Sequence, residues 1–191
     1  MKLSGSYQIK LEKQKVWEAL NDPEILKKTI PGCEEFIKKS ETEFTATATN
    51  KIGPFNASFT GDIELKDLNP PHSYKITGSG NSPVGFANGE ALVSLEDEDN
   101  GTKLTYTVEA NVGGKIAQVG ARLIDMTAKK MADIFFGKFT ELVSNEQGDK
   151  KTIEENNVEK IQVPTKKKSQ NKTLTYISIA ILAAALIYLA I

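Results

Sequence analysis

Residues 85–112 read GFANGEALVSLEDEDNGTKLTYTVEANV, and the spacing within them predicts a β-hairpin. Ala87, Gly89, Ala91, Val93 and Leu95 alternate with polar neighbours. After the turn signal Asp99-Asn100-Gly101 the alternation resumes as Leu104, Tyr106, Val108, Ala110 and Val112. Period two on both sides of an Asn-Gly turn predicts antiparallel strands at Gly85–Leu95 and Lys103–Val112. Gly113-Gly114 then breaks the second strand, and from Lys115 to Val143 the period changes. Ile116, Val119, Leu123, Thr127, Met131, Ile134, Phe135 and Leu142 recur at steps of three and four, which predicts one long amphipathic helix. Phe136 falls on the polar side of that helix, as an exposed contact for a partner or a membrane.

Upstream, the same period-two pattern predicts strands near Glu34–Lys39, Phe44–Ile52, Phe55–Leu65 and Tyr74–Ser79. Asn69-Pro70-Pro71 and Asn81-Ser82-Pro83 mark turns among them. A first strand at Lys2–Leu11 precedes a short helix at Gln14–Leu20, which carries Val16, Trp17 and Leu20. Asn21-Asp22-Pro23 caps a second short helix, with Pro at its first turn, and Pro31-Gly32 ends it. One strand, two short helices, six consecutive antiparallel strands and a long helix describe an α+β helix-grip. In that fold a curved seven-stranded antiparallel sheet wraps the C-terminal helix, commonly with a cavity between them.

The faces expected to point inward are small. They run Ala46/Ala48, Phe55/Ala57/Phe59/Gly61/Ile63, Ile76/Gly78/Gly80, Ala87/Gly89/Ala91/Val93/Leu95 and Leu104/Tyr106/Val108/Ala110/Val112. Interiors pack to a density of about 0.75, so small side chains require either closer backbones or a void. The void is the favoured expectation, with close packing as the alternative. Its candidate lining, taken from the strand faces and the helix stripe, is Tyr7, Phe55, Phe59, Ala87, Ala91, Tyr106, Leu123, Thr127, Met131 and Phe135. The hydroxyls of Tyr7, Tyr74, Tyr106 and Thr127 are its expected polar points.

Catalytic chemistry finds little support. Acid–base and nucleophilic catalysis both need a positioned titrating group beside the reacting atom. The inward strand faces offer none, unless Glu90 turns in. The single histidine, His72, sits in the Pro70-Pro71-His72 turn and reads as a surface residue. The single cysteine, Cys33, has no histidine arranged around it, and one Cys with one His makes no metal spacing. Gly113-Gly114-Lys115 lacks the flanking spacing of a phosphate loop and reads as a helix start. Trp17 reads as core rather than as a stacking platform. The near-zero net charge, −1, gives nucleic-acid binding no electrostatic basis.

The chain ends in LTYISIAILAAALIYLAI, Leu174–Ile191, with no charge, Pro or Gly. As a helix it would be roughly 27 Å long, against about 30 Å of bilayer hydrocarbon. Tyr176 and Tyr188 suit the two interfaces, and Lys166, Lys167, Lys168 and Lys172 orient the preceding domain to the cytoplasm. The expectation is a single transmembrane anchor over residues 173–191 in the cytoplasmic membrane. A flexible polar tether, 146–172, is expected to join it to a ligand-binding domain at 1–145. Met1–Leu11 has no signal-peptide pattern, and an unpaired cysteine suits a reducing compartment.

Several local motifs resemble the G-subunit family of carbon monoxide dehydrogenase. They are Asn21-Asp22-Pro23-Glu24, Ile30-Pro31-Gly32-Cys33-Glu34, Ile52-Gly53-Pro54-Phe55, Phe59-Thr60-Gly61 and Gly85-Phe86-Ala87-Asn88-Gly89. Gly113-Gly114-Lys115-Ile116-Ala117-Gln118-Val119-Gly120, Arg122-Leu123-Ile124-Asp125 and Phe135-Phe136 extend the likeness through about residue 145. The resemblance implies a START/Bet v 1-like fold of the SRPBCC superfamily. It also implies a non-catalytic accessory protein that recruits a molybdenum hydroxylase of the carbon monoxide dehydrogenase type to the membrane. The implied ligand is an isoprenoid quinone (ubiquinone or menaquinone) or a similar lipid, held non-covalently. The alternative is a recruitment scaffold or assembly factor without ligand transport. A polyketide-cyclase-type enzyme shares the superfamily fold but needs a polar pocket. Ile30–Glu34 and Gly113–Asp125 are expected to frame the pocket mouth or an enzyme-docking face.

Overall fold

A computed structural model describes residues 1–154. The elements run β1 (Lys2–Ile9), α1 (Lys13–Ala19), α2 (Pro23–Thr29), β2 (Cys33–Lys38), β3 (Glu43–Ile52), β4 (Phe55–Asn69), β5 (Ser73–Ser82), β6 (Gly85–Glu98) and β7 (Gly101–Gly114). A short 3-10 helix, Lys115–Val119, leads into α3 (Ala121–Glu154). The strands form one antiparallel sheet in the order β1-β7-β6-β5-β4-β3-β2. It is the helix-grip that the order of elements predicts.

The register lines up the inward residues in rows across the sheet. Ala46, Gly61, Gly80, Ala87 and Val112 form one row, and Phe44, Ile63, Gly78, Gly89 and Ala110 the next. Leu65, Ile76, Ala91 and Val108 form a third, which continues to Leu3 on β1. The apolar residues along these rows are buried, with Leu3, Ala110 and Val112 partly so, and a one-residue slip would turn the whole set to solvent. Glu90 does not turn in. It faces outward and pairs with Lys75 at 2.6 Å, as its place between inward Gly89 and Ala91 dictates.

Antiparallel connections alternate between the two ends of the sheet. One end is closed by α1 and α2. Asp22 caps α2 by accepting from the Glu24 and Ile25 amides at 2.8 and 3.4 Å, and Pro23 stands at the first turn. Trp17 is buried there, edge-on to Tyr74 at 5.4 Å, so it belongs to the core. The other end gathers the β3–β4 turn, the β5–β6 turn and the β7–α3 connection.

The C-terminal helix departs from its predicted form in three ways. First, it does not start at Lys115: Gly120, at φ +93°, separates the 3-10 helix from α3. Second, the buried face of α3 is Ala128, Phe135, Phe136, Phe139 and Val143, rotated from the predicted stripe. Phe136, expected on the polar side, is 2% exposed, while Leu123 from the predicted stripe is 37% exposed. Third, the helix runs on past Val143 to Glu154, so 146–154 of the expected tether are helical. That stretch has no Pro and is rich in good helix formers. The rest of the tether and the predicted anchor, 173–191, lie outside the described residues. Among the described residues no helix is long and apolar enough to cross a membrane.

Candidate functional site

The ten candidate residues fall into two groups along α3. Phe59, Ala87, Ala91, Tyr106 and Phe135 are buried, the last at 0%. Tyr7, Phe55, Thr127 and Met131 are half-buried or more open, and Leu123 is exposed. On the sheet Ala87 is buried near the hairpin tips and Tyr7 is half-buried beside Phe136, whereas among the helix residues the division follows the axis of α3. At its C-terminal half Phe135, Phe136, Phe139 and Val143 are sealed against the core. At its N-terminal half Ile124 and Met131 remain partly open, and so do Leu3, Phe55, Ala110 and Val112 on the sheet and Val119 before the helix. The interior is thus closed at the α1/α2 end, while at the hairpin-tip end several apolar residues are partly exposed around buried Ile52, Ala57, Ala87 and Ile116.

At the junction of these regions lies an aromatic stack that joins sheet to helix. The Tyr7 ring stacks on Phe136 with centroids 4.0 Å apart, and Tyr106 stacks on the same ring at 5.8 Å. Phe135 meets Phe136 edge-on at 5.0 Å. Tyr7, Tyr106 and Phe135 are therefore brought together by Phe136, the residue that the predicted helix phase placed on the wrong side. Gly5 is required here, because a Cβ on it would meet the Tyr106 hydroxyl at 2.6 Å.

Two of the expected polar points, Tyr7 and Thr127, are already engaged. The Tyr7 hydroxyl donates to Asp133 Oδ1 at 2.5 Å. Burial, reinforced by that carboxylate, pushes the Tyr7 ionisation well above its ordinary value. Burial likewise raises Tyr106. The Thr127 hydroxyl donates to Leu123 O at 2.5 Å, within its own helix. A ligand in this interior would meet hydrocarbon and aromatic faces, with few free hydrogen-bonding groups.

The glycines modify the expectation of a void. A Cβ on Gly61 would stand 2.4 Å from Ser79 O, and one on Gly89 would stand 2.4 Å from Glu109 O. Neighbouring backbones approach too closely at both positions for any side chain. These two small residues serve the close approach of strands, and close packing explains them. Gly53, at φ +55°, is different: a Cβ there would lie 3.3 Å from Leu123 and 3.5 Å from Val119. It brings the β3–β4 turn against the start of α3, beside Phe55.

Other candidates resolve simply. Burial pushes the Cys33 thiol up to about 11, which makes it a poor nucleophile. His72 is exposed in its turn. Among the described residues no group of His, Cys, Asp and Glu could hold a metal ion. Sequence reasoning did not find an open groove of about 770 Å³ on the outer face of β3–β6, lined by Lys39, Glu43, Asp62, Glu64, Asn88 and Glu90. Its charges are largely paired: Lys39 with Asp62 at 3.0 Å, Lys75 with Glu90 at 2.6 Å and Lys66 with Glu64 at 3.0 Å. The Thr45 hydroxyl and the Lys39 ammonium hold the Asp62 carboxyl below the usual carboxylate range.

A family model for the carbon monoxide dehydrogenase G-subunit, CoxG, matches residues 5–144. Among solved structures, a conserved protein from Geobacillus kaustophilus is similar over 76% of this chain and 96% of its own, at 34% identity and a TM-score of 0.72. A protein from Thermus thermophilus (14% identity, TM-score 0.59) covers 76% of this chain and 99% of its own, and shares the fold. One from Rhizobium leguminosarum (16% identity, TM-score 0.58) covers 76% and 95%, and does the same. No curated protein sequence matches the chain.

Proposed function

The chain belongs to the CoxG family of carbon monoxide dehydrogenase G-subunits, and from that membership we propose a non-catalytic accessory protein for an enzyme of the carbon monoxide dehydrogenase type. In this reading the domain holds a hydrophobic ligand, an isoprenoid quinone, between the sheet and α3. The segment Leu174–Ile191 ties it to the cytoplasmic membrane on the cytoplasmic side, where it recruits the molybdenum hydroxylase and passes it the ligand.

The burial gradient along α3 carries the ligand half of the reading. An apolar interior sealed by Phe135, Phe136 and Phe139 at one end, and half-open at Ile124 and Met131 toward the other, suits a long uncharged molecule entering lengthwise. The inward residues from Ala87 to Leu95 and from Leu104 to Val112 offer no carboxylate, lysine or histidine to react with it. The occupied hydroxyls of Tyr7 and Thr127 point the same way.

Mass spectrometry of organic extracts from the purified full-length protein tests the reading. Quinone should be recovered with the wild-type chain and depleted from Met131→Trp, which narrows the open half. Equal recovery from both, or none together with failure to take up added quinone, would refute the carrier role. A recruitment scaffold is favoured instead by Gly61 and Gly89, whose small size serves sheet geometry alone. That second reading expects an empty protein whose Met131→Trp variant still supports electron transfer from the enzyme to the membrane.

A further inference from the structure

We propose that the hairpin-tip end of the domain is itself a docking surface for anionic lipid bilayers, distinct from attachment through the C-terminal segment. The turns and the helix start converge there. Ile116 N–H donates to Val84 O at 3.0 Å, which binds the β5–β6 turn to the 3-10 helix. Gly53 brings the β3–β4 turn against Val119 and Leu123. The apolar groups at this end include Pro54, Phe86 at 42% exposure, Leu123 at 37% and Met126 at 61%. Leu123 and Met126, three apart, share one face of α3. Among the described residues only Ile37 and Leu92 are comparably exposed large hydrophobics elsewhere, and both stand on strand faces away from these turns.

Charge selects the occupant. Met126 has Arg122 four residues before it and Lys129 and Lys130 three and four after, so cations surround it on the helix surface. Lys51 and Lys115 add to the rim from the β3–β4 turn and the 3-10 helix. From 115 to 131 the one carboxylate is Asp125. Lys51, Lys115, Arg122, Lys129 and Lys130 form no ion pair among the described residues, in contrast to the paired lysines of the outer sheet face. Short apolar tips inside a basic rim match a bilayer interface with anionic head groups, where the tips enter the acyl boundary and the cations stay at the phosphates. The surface also lies beside the half-open part of the interior, so docking would aim that opening at the membrane. The proposal deepens the carrier reading but does not depend on any bound quinone.

The experiment uses the full chain reconstituted in nanodiscs, in a Cys33→Ser background. An environment-sensitive fluorophore is placed by Met126→Cys at the tip, or by Asp99→Cys at the opposite end. Brominated lipids then report bilayer contact in discs of phosphatidylcholine alone or of equal parts phosphatidylcholine and phosphatidylglycerol, without quinone. The tip probe should be quenched in the mixed discs, less so in neutral ones, and the Asp99→Cys probe in neither. Each basic residue near an anionic surface shifts such an equilibrium by about fivefold. Lys51→Glu with Lys115→Glu and Arg122→Glu should therefore shift it by on the order of 100-fold toward the undocked state. These exposed changes leave the fold intact, which circular dichroism checks. Equal quenching at both positions, or no response to the charge reversals, overturns the proposal. So does a tip probe that becomes shielded only when the partner enzyme is added. Quinone recovery is measured separately, so a failed carrier role and a failed docking surface give different results.

Discussion

Tyr7 shows how one side chain ties edge strand to helix. Its ring lies on Phe136 and its hydroxyl donates to Asp133, so both interactions hold β1 against α3. Tyr7→Phe keeps the stack and loses the hydrogen bond, and should cost about 1 kcal/mol in urea denaturation. The same residue sets an alkaline limit. Its ionisation is raised above the ordinary 10.0, first by burial and then by the Asp133 hydrogen bond. Well below that value both native and unfolded chains hold the proton, so the contribution is complete. Above it the unfolded chain ionises first, and stability falls with pH. Tyr7→Phe should flatten that decline, which unfolding curves between about pH 9 and 11 would show. Cys33, raised to about 11 from 9.0, acts in the same direction and is removed by Cys33→Ser. The burial of Phe136 was not legible in the sequence, because it depends on Tyr7 and Tyr106, distant in the chain, stacking on that side of α3.

At the scale of elements, the strands were readable and the helix only partly so. A strand's side-chain period is fixed at two by its backbone, so Ala87 to Leu95 could be assigned inward from spacing alone, and the paired register agrees with every one of those assignments. A helix face has no such absolute reference. Gly120 adopts a φ of +93° with open space around it, and this interrupts the rotation between Val119 and Ala121. The break detaches only Ile116 and Val119 from the predicted stripe; within α3 the sheet's Tyr7 and Tyr106 pack on Phe136, which rotates the buried face toward Phe136 and leaves Leu123 exposed. Gly120→Ala should cost at least about 1 kcal/mol from backbone strain, read as a lowered thermal midpoint, without any steric clash. A neutral substitution would mean that the chain does not need the positive φ at position 120.

At the scale of the whole molecule, the two ends of the domain differ in kind. One is plugged by α1, α2 and the Trp17–Tyr74 contact; the other presents turns, apolar tips and a basic rim around a half-open interior. The tail is expected to act alongside this polarity. Deleting residues 173–191 should release most of the protein, and the partner enzyme with it, from isolated membranes into the supernatant. If the tip surface docks as proposed, the residual membrane fraction should fall further at high salt, because screening weakens contact with anionic lipids. Full retention after deletion would mean that attachment does not run through the tail.

The sequence by itself determined the order of elements, the inward face of each strand, the cap of α2 and the family motifs, since all of these rest on local periods and turn chemistry. Tertiary structure alone decided the rest. It showed that Gly61 and Gly89 are small because neighbouring strands approach within reach of any Cβ. It showed that the Tyr7 and Thr127 hydroxyls are already bonded, and that the interior closes toward Phe139 and opens toward Leu123. These facts depend on distances between segments far apart in the chain, and no local pattern encodes such distances.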